Sequence, residues 1–125
     1  MAPAVLLATA AVAGPPSKPP SKGERAYQKC YSCHELGRGA GQLEGPTLRR
    51  IVGRRVAAER GFAYSPALRR FARRHPRWTL KLLDRYVANP EALVPGTSMN
   101  FHGISDAAER RALVEYLNGA GRSSR

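Results

Sequence analysis

Two cysteines and a histidine stand together near the start of the chain, in Cys30-Tyr31-Ser32-Cys33-His34. This C-x-x-C-H spacing is typical of the covalent attachment of a c-type haem. Residues three apart on a helix share a face, so both thiols can form thioether bonds to one edge of a porphyrin. The imidazole of His34 then points at the iron. The chain has only these two cysteines, and the arrangement uses both.

Two other interpretations of the motif are less consistent with the rest of the sequence. A redox-active dithiol needs its C-x-x-C in a βαβ context, and no alternating strand pattern is visible. A structural zinc site needs four ligands, whereas the remaining candidates are His75, His102 and scattered carboxylates without a second paired cluster. We therefore expect haem attachment.

The second axial ligand of such a haem decides its chemistry. A thioether ligand raises the reduction potential and closes the site, whereas a vacant position admits small molecules. Met99 is the only methionine besides Met1, and it lies in the turn-rich segment 95–101. A lone methionine more often fills a gap in the core. From the residues alone, both roles of Met99 stay open.

The elements that position these residues are predicted to be helices. Four helices are expected: one from Ser21 to about Cys33, one from Ser65-Pro66 to about Arg74, one over 79–88, and one from Ser105 to Asn118-Gly119. Ser21-Lys-Gly-Glu24 is a capping box, and Ser65-Pro66 supplies an N-cap followed by proline. Between Glu35 and Arg60 we expect a long ordered loop, of the kind that wraps a cofactor.

Charge and length restrict the function classes. The chain has 125 residues, enough for one domain without a separate catalytic module. Its 21 Lys and Arg against 9 Asp and Glu give a net charge of +12, which implies an acidic protein, an anionic lipid or a nucleic acid as partner. No helix-turn-helix, zinc-finger or RNP-like pattern accompanies the arginines, so no specific nucleic-acid binding is expected.

The N-terminal residues predict export. Residues 1–13 form an apolar run ending in Ala11-Val12-Ala13, which suits a signal peptide cleaved before Gly14 and a periplasmic location. The run lacks the preceding Lys or Arg of such peptides, which suggests a truncated start. An uncleaved anchor is the alternative. Residues 14–22 are predicted to be a Pro/Ser/Lys-rich linker, 23–120 the folded domain and 121–125 a C-terminal tail.

Taken together, these motifs resemble class I cytochrome c, the mitochondrial and bacterial type, over about 23–118. The segment from Gly23 through Tyr27 to His34 is similar to the family's first helix, and Gly45-Pro46-Thr-Leu48 to its loop on the histidine side. Asn89-Pro90 and Pro95-Gly-Thr-x-Met99 are similar to its methionine side. The resemblance implies an all-α class I cytochrome c fold, with three to five helices wrapped around one covalent haem c.

The resemblance also implies roles for individual residues. His34 and Met99 would ligate the iron, the Pro46 carbonyl would accept the other ring N–H of His34, and Tyr86 would lie near the methionine sulfur. Four further residues match positions that bind the haem propionates: Arg54, Tyr64, Trp78 and Thr97. The full set expected to bind the cofactor is therefore Cys30, Cys33, His34, Pro46, Arg54, Tyr64, Trp78, Tyr86, Thr97 and Met99.

The implied function is that of a monomeric single-electron carrier of a respiratory or photosynthetic chain, not an enzyme. Its expected partners are acidic redox proteins such as a cytochrome bc complex, a terminal oxidase, a photosynthetic reaction centre or a periplasmic dehydrogenase. Membrane contact is expected only through such complexes or an uncleaved N-terminus. The alternative is a haem c protein that binds small ligands, or is peroxidase-like, with a labile sixth ligand.

The sequence departs from the family in two places. Leu68 stands where mitochondrial members commonly place an asparagine beneath the haem. Between Arg49 and Arg77 there are ten arginines and only one acidic residue, Glu59, a net charge of +9. In the family the basic residues surround the exposed haem edge, where only Lys29 clearly matches here. Whether the arginines form a docking surface or a solvated face stays open.

Overall fold

A computed structural model of the protein describes residues 2–5, 7–11, 14, 18–37 and 43–123. Within them the chain forms five helices: α1 (Lys22–Tyr27), α2 (Pro66–Arg74), α3 (Leu80–Ala88), α4 (Pro90–Leu93) and α5 (Ala107–Ser123). The described residues contain no strand, only one isolated antiparallel bridge, between Arg55 and Arg77. The all-α prediction is confirmed.

Parts of the predicted terminal segments and loop lie outside the described residues. These are 1, 6, 12 and 13 of the expected signal peptide, 15–17 of the linker, 38–42 of the loop, and 124 and 125 of the tail. Among the helices in the described ranges, none is both long and apolar enough to cross a membrane.

Side-chain caps begin the helices where the sequence predicts them. The Ser21 hydroxyl accepts from the Glu24 N–H at 3.1 Å, and the Glu24 carboxylate accepts from the Ser21 N–H at 2.7 Å. The Ser65 hydroxyl accepts from the N–H of Leu68 at 3.1 Å. Each bond satisfies a backbone donor that the first helical turn leaves unpaired. The caps therefore fix the entry points of α1 and α2.

Two helix ends and one additional helix differ from the prediction. After Tyr27 the chain tightens into turns, because the N–H groups of Lys29, Cys30 and Cys33 each bond the carbonyl three residues back. The short α4 was not predicted, because the third helix was expected to end at 88 and Asn89-Pro90 was assigned only to the methionine side. The Asn89 side chain also accepts from Ala92 N–H and starts α4. Helix α5 continues past Gly119 to Ser123, since an interior glycine costs only about 1 kcal/mol.

The first and last helices cross at Gly23. A Cβ there would lie 2.6 Å from both the Ala112 carbonyl oxygen and the Tyr116 Cβ, so only glycine allows this approach. Beside it, the rings of Tyr27 and Tyr116 have centroids 5.6 Å apart. This crossing closes one side of the core and brings the segment after α1, which carries the C-x-x-C-H motif, against α5.

Among the described residues, α3 and α5 contribute seven of the seventeen buried apolar side chains of the core, and α1, α2 and the loops supply the rest. Helices α3 and α5 contribute apolar stripes that are almost fully buried, and Leu113 is not exposed at all. An ion pair between Arg110 and Asp84, at 2.9 Å, ties α5 to α3 at the surface. The helices thus form a packed wall, and the loops between α1 and α2 face it from the other side of a cavity.

Candidate cofactor site

A cavity of about 340 Å³ lies between the turn after α1, the loop before α2 and the segment after α4. Its volume is in the range of ligand and cofactor sites, roughly 300–1,000 Å³. All ten residues that the sequence assigns to cofactor binding line it: Cys30, Cys33, His34, Pro46, Arg54, Tyr64, Trp78, Tyr86, Thr97 and Met99. Residues up to 69 positions apart in the chain therefore converge on one space.

The imidazole of His34 is held in one tautomer. Its Nδ1 lies 2.7 Å from the carbonyl oxygen of Pro46. Because a carbonyl only accepts, Nδ1 must carry the proton, and the lone pair is left on Nε2. Burial lowers the pKa of His34, and Arg54 lowers it further, whereas the Pro46 bond opposes this. The side chain is therefore a neutral imidazole with Nε2 unprotonated.

The glycine before Pro46 lies against the ring of His34. A Cβ at Gly45 would come within 2.6 Å of Nδ1 and 2.8 Å of Nε2, distances that real Cβ atoms essentially never show. Gly45 N–H also bonds the Cys33 carbonyl at 2.8 Å, which holds this loop to the motif. The loop thus fixes the ring both by the Pro46 hydrogen bond and by direct contact.

The backbone of His34 is fixed from α1. The buried hydroxyl of Tyr27 donates to the His34 carbonyl oxygen at 3.1 Å. Burial is the main reason why the pKa of Tyr27 is raised to about 12, so the hydroxyl keeps its proton and remains a donor. Since the Tyr27 ring packs on Tyr116, the position of His34 depends on the crossing of α1 and α5.

The two cysteines line the same cavity. Burial raises the pKa of the Cys30 thiol to about 11, with Cys33 raising it further and Lys29 opposing. A thiol that keeps its proton at neutral pH is unlike the reactive thiolate of a dithiol redox enzyme. The described residues also provide no strand for a βαβ context, and no cluster of three or more His, Cys, Asp or Glu side chains for zinc.

Met99 lies on the segment that follows α4. Its N–H is 3.4 Å from the Thr97 hydroxyl oxygen, and that oxygen is 2.7 Å from the Tyr86 hydroxyl. Tyr86 is buried on α3, and its ring packs at 5.2 Å against Trp78. The chain of contacts from α3 through Thr97 therefore sets where the half-buried Met99 enters the cavity.

Arg54 reaches the cavity from the loop before α2. Its guanidinium donates to the carbonyl oxygens of Arg49 and Thr47, at 3.1 and 2.7 Å, and lies 3.7 Å from the Glu59 carboxylate. Backbone bonds pair Arg54 with Trp78, whose N–H donates to the Arg54 carbonyl at 2.9 Å. Burial lowers the pKa of the guanidinium, whereas Tyr64 and Glu59 raise it.

One polar atom at this site has no partner. Across the part of the chain that the structure describes, Arg54 Nε is the single buried side-chain nitrogen or oxygen without a hydrogen bond. A buried unsatisfied donor on a cation costs free energy, and an anionic acceptor would remove that cost. The carboxylates of a haem would supply one. The cavity, its thiols, the oriented imidazole and this spare donor therefore fit a covalent haem c.

The mouth of the cavity carries little net charge. We define the cavity mouth by the exposed residues among its lining: Lys29, Ser32, Glu44, Ser98 and Asn100. The Lys29 ammonium is paired with Glu109 on α5 at 2.6 Å. Among the described residues that define the mouth, the one basic group is thus already paired, and Glu44 adds a negative charge.

Sequence reasoning missed several residues of the site. It assigned no role to Gly45 against the His34 ring, and it placed Tyr27 in the first helix without a contact to His34. It also did not assign apolar lining residues to the cofactor: Leu48, Ile51, Phe62, Leu83, Val87, Leu113 and Leu117. The spacing of Leu83 and Val87 on α3, and of Leu113 and Leu117 on α5, marks a buried face of each helix. Periodicity does not tell whether such a face meets protein or cofactor.

Known proteins match this chain over the same region. The sequence model of the cytochrome c family matches residues 20–120. Cytochrome c-550 of Ancylobacter novellus is 37% identical over 98 residues, which are 78% of this chain and 92% of that protein. Cytochrome c2 of Rhodomicrobium vannielii is 35% identical over 98 residues, 78% of this chain and 76% of that protein.

A solved structure is similar as well. Cytochrome cH from Methylobacterium extorquens superposes with a TM-score of 0.70 at 33% sequence identity. The match covers 78% of this chain and 95% of that one. The similarity in sequence and in fold therefore extends over at least three quarters of each of these relatives.

Proposed function

The chain belongs to the cytochrome c family and is an electron carrier with one covalent haem c, and on this premise we propose that His34 and Met99 are its axial ligands. Cys30 and Cys33 would form the two thioether bonds. When bound, the haem supplies an iron that gains or loses one electron. The residues of the chain then have to hold both ligands in place and keep other ligands out.

The observation that carries this proposal is the hydrogen bond from His34 Nδ1 to the Pro46 carbonyl, at 2.7 Å. It leaves the lone pair of Nε2 available to a metal and fixes the plane of the ring. A hydrogen bond on the second ring nitrogen typically orients a ligating histidine and increases its basicity. Gly45 adds to this because it has no Cβ, so the ring can lie directly against the loop.

Met99 supplies the second ligand in this proposal. Its backbone is tied through Thr97 to Tyr86 on α3, so the thioether does not depend on the side chain alone for its position. A thioether ligand raises the reduction potential and closes the iron to small molecules. A carrier needs such a closed site, whereas a ligand-binding or peroxidase-like protein needs an open one.

Arg54 would bind a propionate. Its unpaired Nε is buried at the cavity, while both terminal nitrogens are held by carbonyl oxygens. The guanidinium is therefore oriented before any anion binds. A charge-assisted hydrogen bond in such a buried place is stronger than one in water. Tyr64, Trp78 and Thr97 line the same cavity and complete the proposed polar side of the site.

We further propose that the protein acts outside the cytoplasm and exchanges electrons with larger redox proteins. Candidate partners are a cytochrome bc complex, a terminal oxidase, a photosynthetic reaction centre or a periplasmic dehydrogenase. The apolar residues 1–13 support export. Because the cavity mouth is nearly neutral, docking there would rest on shape and polar contacts more than on charge. No chemical conversion of a substrate is proposed.

Substitution of Met99 tests the ligand assignment. Met99→Leu keeps an apolar side chain of similar volume but removes the sulfur, and Met99→Ala removes both. If Met99 is a ligand, both variants lower the reduction potential, and both reduced proteins bind carbon monoxide, as redox titration and absorbance would show. If Met99 only fills the core, Met99→Leu leaves the potential unchanged. Tight carbon monoxide binding by the unaltered protein would favour a ligand-binding function instead.

A further inference from the structure

The segment that carries Met99 is fixed differently at its two ends. We call residues 94–104 the methionine strap, of which 97–101 line the cavity. At the far end, Ile104 is buried and its N–H donates to the Val87 carbonyl of α3 at 2.8 Å. A buried backbone bond to a packed helix opens only when the surrounding structure opens. The strap is therefore firmly fixed at Ile104.

The near end of the strap is a tight turn. The Thr97 N–H donates to the Val94 carbonyl at 3.0 Å, and Pro95 and Gly96 occupy the two central positions. Gly96 has a φ of 88°, as the third residue of a type II β-turn requires. The hydrogen bond that closes such a turn does not use the N–H of the third residue. The Gly96 N–H therefore needs another acceptor.

Glu91 supplies that acceptor. Its carboxylate Oε1, in the first turn of α4, accepts from the Gly96 N–H at 3.0 Å. Glu91 is exposed, and within the described part of the chain no cation pairs with it. The hydrogen bond thus holds the turn at the surface, in competition with water. It opens more readily than the buried bond at Ile104, so the strap has one fixed end and one releasable end.

The contact of Glu91 reaches Met99 through Thr97. Thr97 follows Gly96 directly, and its hydroxyl oxygen lies 2.7 Å from the Tyr86 hydroxyl and 3.4 Å from the Met99 N–H. Burial raises the pKa of Tyr86, the Thr97 bond opposes this, and the negative charge of Glu91 raises it further. The carboxylate therefore lies close to both contacts that place the backbone of Met99.

We propose that Glu91 is a positioning residue for Met99, whose carboxylate closes the releasable end of the methionine strap and so sets how readily the Met99 thioether leaves its place. The inference rests on the proposed function, since it takes Met99 to be the sixth ligand. It adds a residue that does not itself line the cavity. An external ligand can bind only while the strap is open, so its apparent affinity reports the open fraction.

Imidazole binding to the oxidised holoprotein, followed by absorbance, tests the proposal. Glu91→Ala removes the acceptor, and Glu91→Gln keeps a carbonyl oxygen that can still accept. Glu24→Ala is the matched control, because Glu24 also accepts from a backbone N–H, that of Ser21 at 2.7 Å, but at the start of α1. Both alanine variants lose one negative charge and one hydrogen bond of the same kind.

Glu91→Ala should bind imidazole roughly fivefold more tightly than the unaltered protein, as expected for the loss of one hydrogen bond from the closed strap. Glu91→Gln should bind it about twofold more tightly. Glu24→Ala should leave the affinity unchanged, because its bond lies outside the strap. Equal gains in the two alanine variants would trace the effect to general stability and overturn the proposal, as would an unchanged affinity in Glu91→Ala.

Met99→Leu separates this inference from the ligand assignment. If Met99 is a ligand, Met99→Leu alone binds imidazole much more tightly, and adding Glu91→Ala has less than about a twofold further effect, since no thioether remains to be displaced. An unchanged affinity in Met99→Leu overturns the ligand assignment and this inference with it. If Met99→Leu raises the affinity and Glu91→Ala does not, only this inference fails. An undiminished effect of Glu91→Ala in the Met99→Leu protein also overturns it.

Amide hydrogen exchange of the oxidised holoproteins tests the strap directly. In Glu91→Ala, the amides of Gly96, Thr97 and Met99 should exchange roughly fivefold faster, whereas the Ile104 amide should not change. Equal acceleration across the whole chain would overturn the proposal. If Glu91→Ala does not retain haem, Glu91→Gln replaces it, with about a twofold change expected in affinity and in Gly96 exchange. No change in either would then overturn the proposal.

Discussion

The cavity and α2 both carry arginine, but in opposite environments. The α2 arginine face consists of the exposed residues Arg69, Arg70, Arg73 and Arg74. In the cavity, Arg54 is largely buried, and carbonyl oxygens and Glu59 hold its guanidinium in one orientation. On α2, four guanidinium groups are exposed and lack carboxylate partners in the described residues. Both regions involve α2, since Leu68 of this helix lines the cavity and the four arginines do not. Burial therefore decides whether an arginine binds one anionic group or contributes to the electrostatic potential of a whole surface.

Electrostatics gives this difference its physical basis. Charges in a low-dielectric interior interact several times more strongly than charges in water, and salt screens them less. A buried guanidinium can thus bind one carboxylate with defined geometry, but leaving it unpaired is costly. Exposed guanidinium groups cost little unpaired, and their attraction is additive, long-ranged and sensitive to salt. Substitutions in the two regions should therefore have effects of very different size.

Removing the imidazole on the cavity side should have the largest effect. His34→Ala abolishes the proposed ligand and the hydrogen bond to Pro46. We expect the yield of haem-containing protein to fall by about tenfold or more, since even residues that only support a ligand cost that much. Haem absorbance per protein chain measures this. Normal yield with normal spectra would show that His34 is not a ligand.

Adding one methyl group beside the imidazole should be the next largest change. Gly45→Ala places a Cβ where the His34 ring lies, so ring or loop must move. Overpacking of this kind costs about 1–3 kcal/mol of unfolding free energy. Gly119→Ala is the control, because nothing lies within 4 Å of its Cβ position. In the α5 interior, that change should be neutral or stabilising by up to about 1 kcal/mol. Similar results for both variants would contradict the close contact.

Loss of one hydroxyl should have a smaller effect. Tyr27→Phe removes the donor to the His34 carbonyl and should lower the unfolding free energy by about 1 kcal/mol in denaturant titrations. Because the pKa of Tyr27 is raised to about 12, its extra stability is fully present below about pH 10, the ordinary tyrosine pKa. It should decline as the pH rises toward 12. A pH-independent difference above pH 10 would contradict this.

Substitutions on the α2 arginine face should change stability least. Changing Arg69, Arg70, Arg73 and Arg74 to glutamine should alter the unfolding free energy by no more than about 0.5 kcal/mol per site, because these side chains are exposed. Relief of mutual repulsion should even raise stability at low salt. A large loss of stability would mean that the arginines hold α2 in place, and the contrast with the cavity would not hold.

Local sequence predicted much of the fold because its signals act over a few residues. Capping residues at Ser21 and Ser65 and the proline at position 66 start their helices where the sequence places them. Helix ends were less predictable. No local motif marks the turn after Tyr27 or the passage of α5 through Gly119. The short α4 was missed because Asn89 both ends one helix and begins the next.

The sequence by itself determined the chemistry of this protein: a C-x-x-C-H motif, one available methionine, a Gly-Pro loop and a concentration of arginine between 49 and 77. Residue types and short spacings carry such information. Only the tertiary structure decided that ten distant residues line one cavity, that Gly45 and Tyr27 fix His34, and that the exposed α2 arginines are not part of the cavity lining. Those facts depend on contacts between segments far apart in the chain, which packing alone sets.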